Sequence, residues 1–546
     1  MSAAPLYLDC AATTPLDPRV AEAMAACMVA ADGFANPSSQ HAPGRAARRR
    51  VEAARADVAA LIGAVPESIY FTSGATEGDN LAILGAARGN RDRGRHVVTS
   101  RTEHRAVLDA CARLEAEGFD VTRVTPGPDG RVSPAQVEAA LRPDTILVSL
   151  MHANNETGVV QDIPAVGRLC GARGVLLHVD AAQSVGKVPV EVEALGADLL
   201  SFTAHKLHGP KGVGALWVRR QPRPTLQPLQ FGGGQEGGLR PGTLAVHQIV
   251  GFGLACRLAR EALAVEALRQ AALRDRLWQR LAALGGVYPN AGTEPRLPGL
   301  LNLGFLGIEG ESLLLAIDSE LAVSSGSACN SAAAEPSYVL RALGLGDLAA
   351  QASLRLSLGR LTAAQDVERA ADVIARAVRR LRWLAPPAAL AAFPRPAAAI
   401  GDVPGEAARP GLDSPSAGGL EAAGAYSARV IELFRQLPCA GDLPAGPGEA
   451  WLGEAGDLAA GAWIRFELRV QQGVIVAAAF RAWGCPHVLA AAATVALRLP
   501  GLPPSLAAGL APPRAIAAEL DAPSAKLGRL FRVEDALQAL RPARID

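Results

Sequence analysis

Residues 175–218 of this 546-residue chain read VLLHVDAAQSVGKVPVEVEALGADLLSFTAHKLHGPKGVGALWV. Three β-rich apolar runs in this stretch predict strands over Val175–Val179, Leu199–Phe202 and Gly214–Val218. Similar runs at Ser68–Thr72, His96–Thr99 and Thr145–Leu150 alternate with helical patterns such as Arg45–Ile62. Because strands separated by helices pair in parallel, we expect an α/β sheet covered on both faces, with ligands at its carboxyl edge.

Charge and composition exclude several classes of function. The 54 basic and 53 acidic residues leave a formal net charge of +1, so nothing indicates binding to nucleic acid or to an anionic membrane. The first residues lack the pattern of a signal peptide. Val488–Leu497 is the longest apolar run near the end and is far shorter than the ~20 residues of a membrane span. We therefore expect a cytoplasmic protein.

Polar side chains follow the predicted strands of the opening stretch. Lys206 lies in a small, polar loop directly after one strand, and Asp180 ends the strand before it. A lysine in such a loop can form a Schiff base with a carbonyl cofactor. A carboxylate can keep a pyridinium nitrogen protonated, and Gln183 can contact a ring oxygen. Taken alone, Lys206 also fits a surface charge, and Asp180 a helix N-cap.

Three further strand ends carry polar groups. Residues 71–77 read FTSGATE, a strand, a small-residue turn and the start of a helix over Gly78–Ala87. Backbone N–H groups at such a helix start, with the Thr76 hydroxyl, can hold a phosphate. His104 follows another strand, where an imidazole can stack on a flat cofactor and transfer protons. Residues 154–158, NNETG, supply amide donors.

The eight cysteines are scattered without a C-x-x-C pair, and most fit reduced core residues. Cys329 differs, because it follows the small residues SSGSA and precedes NSAAA. Such a loop suits a nucleophilic thiol that must be exposed and must move. The alternative is a buried cysteine in a tight turn. Arg355 is a candidate for binding a substrate carboxylate, with a surface ion pair as the alternative.

Together these residues resemble the NifS/IscS type of cysteine desulfurase, a class V, fold-type I family of pyridoxal-phosphate transferases. The resemblance covers about residues 5–384. It rests on the motifs YLDCAATTPLDPRV, FTSGATEGDNLAI, TEHRAV, HANNETG, HVDAAQSVGK, TAHKLHGPKGVG, LRPGTLAVHQIVG and SSGSACNSAAAEPSYVLRALG. It implies a large domain with a seven-stranded mixed sheet (residues 15–264) and a small α+β domain (residues 1–14 and 265–385).

The resemblance also implies roles for single residues. Lys206 would form the Schiff base, Asp180 would bind the pyridinium nitrogen and His104 would stack on the ring and exchange protons. The remaining cofactor contacts would be Gln183 to the ring hydroxyl, Asn155 beside it, and Ala75, Thr76, Thr203 and His205 to the phosphate. Thr243 would reach the phosphate of a neighbouring subunit, which implies a homodimer.

For the substrate, the resemblance assigns Asn155 and Arg355 to the carboxylate of L-cysteine and Cys329 to its sulfur. Cys329 would carry a persulfide, release alanine and pass sulfur to an acceptor or scaffold protein for iron–sulfur clusters or other thiocofactors. Cys329 is also a candidate for transient contact with an iron–sulfur cluster. A selenocysteine lyase or another pyridoxal-phosphate lyase remains the alternative.

Residues 386–425 are dominated by Ala, Pro and Gly and predict a linker. Beyond it, a helix over Ser427–Leu437 and strands over Ala462–Gln471 and Val474–Ala482 predict an α+β domain spanning residues 426–546. Several pieces of this domain resemble the IscU/NifU-N type of iron–sulfur scaffold: Tyr426–Val430, Gly456-Asp457, Trp483-Gly484-Cys485 and Val533–Ala536.

The resemblance implies a cluster site with an incomplete ligand set, since iron–sulfur clusters are held by cysteines. Cys485 and Asp457 survive, whereas Ala455 and Gly528-Arg529 stand where a cysteine and a His-Cys pair would be. His487 is a candidate replacement ligand. The domain is therefore a true scaffold, a docking module, an acceptor of persulfide on Cys485, or a relic that only packs.

Overall fold

The computed structural model describes residues 4–30, 32–292, 294–325, 336–392 and 426–543. Within these ranges the chain forms a seven-stranded sheet, two four-stranded sheets and one two-stranded pairing. Among the helices of the same ranges, none combines the length and apolar character needed to cross a membrane.

The first part of the chain alternates strands and helices as predicted. Its elements are β1 (Leu6–Tyr7), α1 (Pro18–Val29), α2 (Ala42–Leu61), β2 (Ile69–Thr72), α3 (Ala75–Gly89), β3 (His96–Ser100), α4 (Arg105–Ala116), β4 (Asp120–Val124), α5 (Pro134–Ala140), β5 (Thr145–Met151), α6 (Ile163–Arg173), β6 (Leu176–Asp180), α7 (Val192–Leu195), β7 (Leu199–Thr203) and β8 (Gly214–Val218).

The large sheet has the strand order β2-β8-β7-β6-β5-β3-β4 and is mixed. Strands β3 to β7 run parallel, whereas β8 is antiparallel to both of its neighbours, β7 and β2. The alternation of strands and helices predicts parallel pairing throughout, which is wrong for β8, because no α-helix separates β8 from β7. A Cβ on Gly214 would lie only 2.8 Å from the Gly74 Cα, so glycine permits β8 to approach the turn after β2.

Helix α2 shows how the sheet is covered. The His41 imidazole caps its start by accepting from the Gly44 N–H at 3.1 Å. Apolar residues at helical spacing, including Val51, Ala54 and Val58, are buried. Helix α8 (Val246–Ala282) packs against this face. Burial of each valine contributes about 1.5–3 kcal/mol relative to exposure.

A second, smaller unit follows α8, which itself crosses the predicted domain boundary at residues 264/265. Its elements are β9 (Val287–Pro289), β10 (Leu300–Phe305), α9 (Gly310–Ile317), β11 (Leu321–Ala322), β12 (Ser324–Ser325), α10 (Tyr338–Ala342), α11 (Asp347–Gln351), β13 (Ser353–Ser357), α12 (Ala364–Leu384) and α13 (Ala388–Ala392). The sheet order is β12-β13-β10-β9, and β1 pairs with β11. Helix α13 lies within residues 386–425, where the sequence predicts a linker. Residues 393–425 lie outside the described ranges.

The C-terminal unit contains α14 (Ala428–Gln436), β14 (Glu449–Asp457), β15 (Ala462–Gln471), β16 (Val474–Gly484), α15 (Pro486–Arg498), α16 (Pro513–Leu520), α17 (Leu527–Gln538) and β17 (Arg541–Pro542). Its antiparallel sheet has the order β16-β15-β14-β17. The predicted helix and the first predicted strand are found, and the second continues to Gly484. Strand β14 was missed. Apolar side chains of this unit and of the small unit form one continuous buried cluster.

Candidate active site

A cavity of about 580 Å³ opens at the carboxyl edge of the large sheet. Strands β2, β3, β5, β6 and β7 all end at this edge, and the small unit closes one side through Arg355 of β13. Ten of the predicted site residues line the cavity together: Ala75, Thr76, His104, Asn155, Asp180, Gln183, Thr203, His205, Lys206 and Arg355.

Lys206 and Asp180 both line the cavity and follow or end two neighbouring strands, β7 and β6. Lys206 ends the 3₁₀ turn that follows β7, and its Nζ donates to the Ala11 carbonyl of the N-terminal segment. Asp180 ends β6, and its Oδ1 accepts from the Ala182 N–H at 2.9 Å. Burial raises the pKa of Asp180, while the Ala182 N–H, His104 and Lys206 act in the opposite direction. A buried carboxyl thus lies near the Lys206 amine and the His104 imidazole.

His104 caps helix α4. Its Nδ1 accepts from the Ala106 N–H at 3.2 Å, so the proton of the neutral ring lies on Nε2. Burial lowers the pKa of His104, which keeps the imidazole neutral at physiological pH. The ring is therefore neutral and fixed in orientation by this hydrogen bond.

Two buried carboxyls near Asp180 were missed by the sequence reasoning. Asp79, on α3, lines the cavity, and Glu103 precedes His104. Burial, and then the neighbouring Asp180, raises the pKa of each carboxyl well above its ordinary range. Both carboxyls therefore hold their protons to higher pH than an exposed carboxyl does. Their position inside the FTSGATEGD and TEHRAV stretches was the only available signal.

Beneath these groups, the buried His178 ring of β6 is hydrogen bonded through both nitrogens. Its Nδ1 lies 2.8 Å from the Ser149 Oγ, and its Nε2 lies 2.8 Å from the Ser201 Oγ. Burial lowers the pKa of His178 to about 3, so the ring stays neutral. These bonds tie β5, β6 and β7 together directly below the polar residues at their ends.

The turn between β2 and α3 forms the opposite end of the cavity. Ser73, Gly74, Ala75 and Thr76 line it at the start of a 15-residue helix. Free backbone N–H groups at a helix start attract anions. His205 lies beside this turn with its Nδ1 3.1 Å from the Thr13 Oγ1, and burial lowers its pKa to about 4. The arrangement suits a phosphate group.

Arg355 and Asn155 meet on the side of the small unit. Arg355 is only 2 % exposed, and its Nη1 donates to the Asn155 carbonyl at 2.9 Å. Its Nη2 donates to Asp9 at 2.8 Å and to the Ser324 Oγ at 3.0 Å. Among the described residues, the Arg355 Nε and the Asn155 Oδ1 are buried without a hydrogen-bond partner. The guanidinium is therefore held in place with a donor left over for a ligand.

Among the described residues, one residue predicted for this site does not line the cavity. Thr243 is exposed on the surface and does not line it. Cys329 lies outside the described residues, within 326–335, although β12 and Ser337 on either side of that segment are described. The Ser337 hydroxyl donates to Glu156, whose pKa is raised by burial to about 7.

The predicted cluster residues of the C-terminal unit do not form a ligand set. Asp457 is exposed, and its Oδ1 accepts from the Ala460 N–H at 2.7 Å, which is a turn-capping contact. Cys485 is fully buried at the start of α15. In the part of the chain that the structure describes, no three His, Cys, Asp or Glu side chains are grouped to hold a metal. The residues present therefore do not fit an iron–sulfur cluster.

Known proteins match the part of the chain that builds the cavity. The family model for aminotransferase class-V matches residues 6–370. The curated cysteine desulfurase IscS of Aeromonas hydrophila is 55% identical over 383 residues, which cover 70% of this chain and 95% of that protein. The IscS of Edwardsiella ictaluri is 52% identical with the same coverage.

Solved structures agree with this assignment. A structure described as a NifS-like protein is 36% identical, has a TM-score of 0.65, and covers 69% of this chain and 100% of its own. A structure described as SspA in complex with cysteine is 38% identical, with a TM-score of 0.59, and covers 64% and 98% of the two chains. The chain therefore belongs to the aminotransferase class-V family and, within it, to the cysteine desulfurases of the IscS type.

Proposed function

We propose that this pyridoxal-phosphate-dependent cysteine desulfurase converts L-cysteine to L-alanine and leaves the sulfur as a persulfide on Cys329. The persulfide then supplies iron–sulfur cluster assembly or other thiocofactors through an acceptor protein. The convergence of Lys206, Asp180, His104 and the helix start at Ala75 on one cavity supports this proposal most directly.

The residues around the cavity fit the coenzyme. Lys206 is the reactive amine, Asp180 the partner of the ring nitrogen, and Gln183 a donor to the ring oxygen. The phosphate would lie against Ala75, Thr76, Thr203 and His205, at the positive end of α3. When bound, pyridoxal phosphate supplies an electron sink that makes the substrate α-proton removable.

The remaining residues act on the substrate. Arg355 and Asn155 orient its carboxylate, and the neutral His104 or the released Lys206 amine takes the α-proton. The Cys329 thiolate attacks the substrate sulfur, so that an S–S bond forms and the C–S bond breaks. The C–S electron pair returns to the carbon fragment, which gains one proton at Cβ, regains its α-proton and leaves as alanine.

Alanine and sulfide release test this scheme. Without a reductant, the protein should form about one alanine per active site and then stop, whereas added thiol should restore turnover. Cys329→Ser should abolish alanine formation from cysteine. If that variant still turned over L-selenocysteine at the wild-type rate, the selenocysteine lyase would be the better description.

We also propose a homodimer in which Thr243 completes the phosphate site of the partner subunit. Thr243 is exposed and lies away from the cavity of its own chain, and Phe231 in the preceding loop is 86% exposed. An exposed phenylalanine beside a predicted ligand suits an interface between copies. Equilibrium sedimentation should give a dimer. Thr243→Ala should weaken coenzyme retention, and a monomer with full retention would contradict the proposal.

For the C-terminal unit, residues 426–546, we propose a docking module of scaffold-like fold that holds no cluster. It is joined by the Ala/Pro/Gly-rich segment to the desulfurase, residues 1–385. Its basic side chains meet an acidic face of the small unit: Lys526 pairs with Glu311 at 2.6 Å and Arg435 with Asp318 at 3.4 Å. Such complementary charges fix the register of an interface.

Hydrogen bonds and apolar contacts accompany these ion pairs. The Ser312 hydroxyl donates to the Gly484 carbonyl at 2.7 Å, and the Trp483 indole N–H donates to the Gly307 carbonyl at 3.2 Å. The Tyr426 hydroxyl donates to Glu311 at 2.5 Å. Because Gly484 adjoins Cys485, the segment that carries the surviving cysteine is itself part of the interface.

Arg529 occupies the position of a predicted cluster cysteine and takes a different role. A Cβ on Gly461 would lie 2.9 Å from its Nε, so Arg529 reaches the hairpin after Asp457. Although burial opposes the charge, the nearby Cys485 sulfur and the Glu309 carboxylate raise the pKa of Arg529. A fixed cation therefore stands where a metal would be needed.

Cleavage of the full-length protein tests this docking. A protease site introduced between residues 393 and 425 should leave both fragments co-eluting after the cut, and Glu311→Gln should weaken their association. Immediate separation of the wild-type fragments would contradict docking. Anaerobic incubation of the full chain with iron and sulfide should give no stable cluster spectrum, and the appearance of one would favour a true scaffold.

A further inference from the structure

A second lysine, the half-buried Lys187, lies behind the cavity. Its Nζ donates to the Gln183 Oε1 at 2.9 Å. At its other end, the same amide donates from Nε2 to the Ala11 carbonyl at 2.8 Å. Gln183 is therefore held between one partner that can only donate and one that can only accept.

These two partners determine which end of the amide faces the cavity. An ammonium group has no acceptor, so the end beside Lys187 must be the oxygen, and a carbonyl has no donor, so the end beside Ala11 must be the nitrogen. Nε2 carries two hydrogens, and Ala11 uses one. The second remains for a group inside the cavity that Gln183 lines.

The Ala11 carbonyl also connects this pair to the reactive lysine, because the Lys206 Nζ donates to the same oxygen. Ala11 is itself fixed, since its N–H donates to the Ser357 Oγ of β13 at 2.8 Å. A continuous chain of hydrogen bonds thus runs from Lys187 through Gln183 and Ala11 to Lys206.

Local backbone geometry aims Lys187 at Gln183. The two residues are four positions apart in the turn after β6, and Gly186 adopts φ +76° directly before the lysine. A Cβ there would lie 3.3 Å from the Cβ atoms of Ala259 and Leu207, so glycine is required by both conformation and space. Burial lowers the pKa of Lys187 to about 8, which leaves most of the group charged at neutral pH.

We infer that Lys187 is a positioning residue that holds Gln183 with its N–H directed into the cavity, toward the ring oxygen of the coenzyme. This inference rests on the role proposed above for Gln183. A donor facing this oxygen stabilises its anionic form. Reversal of the amide would instead place an oxygen against it, at the cost of a repulsive contact.

The test is a double-mutant cycle on the full-length protein, with coenzyme affinity and the visible absorption spectrum of the bound coenzyme as readouts. Lys187→Met should weaken coenzyme binding about tenfold, as expected for a lost hydrogen bond to a charged group, and should shift the absorption maximum. In the Gln183→Ala background the same change should have no further effect. Lys526→Met, the same substitution in the C-terminal unit, should leave both readouts unchanged.

The outcomes distinguish a failure of the role proposed for Gln183 from a failure of the inference about Lys187. If Gln183→Ala binds the coenzyme as the wild type does, the role proposed for Gln183 fails. If Gln183→Ala weakens binding while Lys187→Met does not, or if the two effects add, the inference about Lys187 is overturned. Gln183→Glu offers a second variant that keeps an acceptor for Lys187 but removes the donor. It should weaken binding at least as much as Gln183→Ala.

Discussion

The chain carries two polar sites that differ in their accessibility: the cavity at Lys206 and the buried side chains around Cys485. At the cavity, strand ends leave donors and acceptors directed into about 580 Å³ of open space. At Cys485, the thiol is fully buried, and an arginine and the neighbouring unit fill the surroundings. Both sites contain residues that the sequence predicts as ligands. At Lys206 these residues line open space, whereas the Cys485 thiol is fully buried. Surviving residue types therefore indicate function only where the fold leaves them accessible.

The largest expected difference between the two sites comes from matched lysine substitutions. Lys206→Ala should lower alanine formation by about 10³-fold or more, because it removes the reactive amine and a proton-transfer group. It should also abolish the visible absorption of the lysine-bound coenzyme. Lys526→Ala, in the C-terminal unit, should leave turnover near the wild-type rate. Equal losses of alanine formation in both variants would show that the two sites do not differ in function.

A smaller effect, on the KM for L-cysteine, is expected from substitution of Arg355, with Arg435 as the control. Arg355→Met should raise the KM for L-cysteine about 10- to 100-fold, since a hydrogen bond to a charged group is worth about 1.5–3 kcal/mol. Arg435→Met removes an ion pair between the two units and should leave the KM unchanged. Steady-state kinetics on both variants decide the point, and an unchanged KM for Arg355→Met would remove this residue from the substrate site.

The elements around the cavity were largely predictable from the sequence. Short apolar runs fix β2 to β8 within one or two residues, except β4, whose charged residues Asp120 and Arg123 conceal it. The residues that follow these strands converge because parallel strands share a carboxyl edge. Asp79 and Glu103 could not be identified in the same way, since burial, and not residue type, gives them raised pKa values.

The surroundings of Cys485 were not predictable for a different reason. Its partners Glu309 and Glu311 come from a helix more than 170 positions earlier in the chain, and no periodicity encodes such a contact. Asp457 likewise matches a cluster ligand in the sequence pattern, but in the structure it is exposed and caps a turn. The role of Thr243 stays a prediction.

The last effect is comparable in free energy to that of Arg355→Met and concerns acid stability, in which the two regions should behave alike. Burial lowers the pKa of His152 from 6.5 to about 4, and that of His487 likewise to about 4. Below pH 6.5 each of these rings is protonated in the unfolded chain, whereas in the native state it stays neutral until about pH 4. Stability is therefore lost as the pH falls through this window.

Denaturant unfolding at pH 7.5 and pH 4.5 measures this effect. For His152, the native state should lose about 2–3 kcal/mol of stability between the two conditions. His152→Gln should reduce the loss by that amount, and His487→Gln should reduce the loss for the C-terminal unit. A pH dependence identical to that of the wild type would show that these rings are charged or exposed in the folded protein.

Mass spectrometry of the full-length protein after incubation with L-cysteine tests the contrast between the two sites most directly. We expect a single added sulfur atom on the peptide that contains Cys329. None should be found on the peptide that contains Cys485, because Arg529 and the small unit cover this buried thiol. Sulfur found on Cys485, or its absence from Cys329, would contradict this expectation.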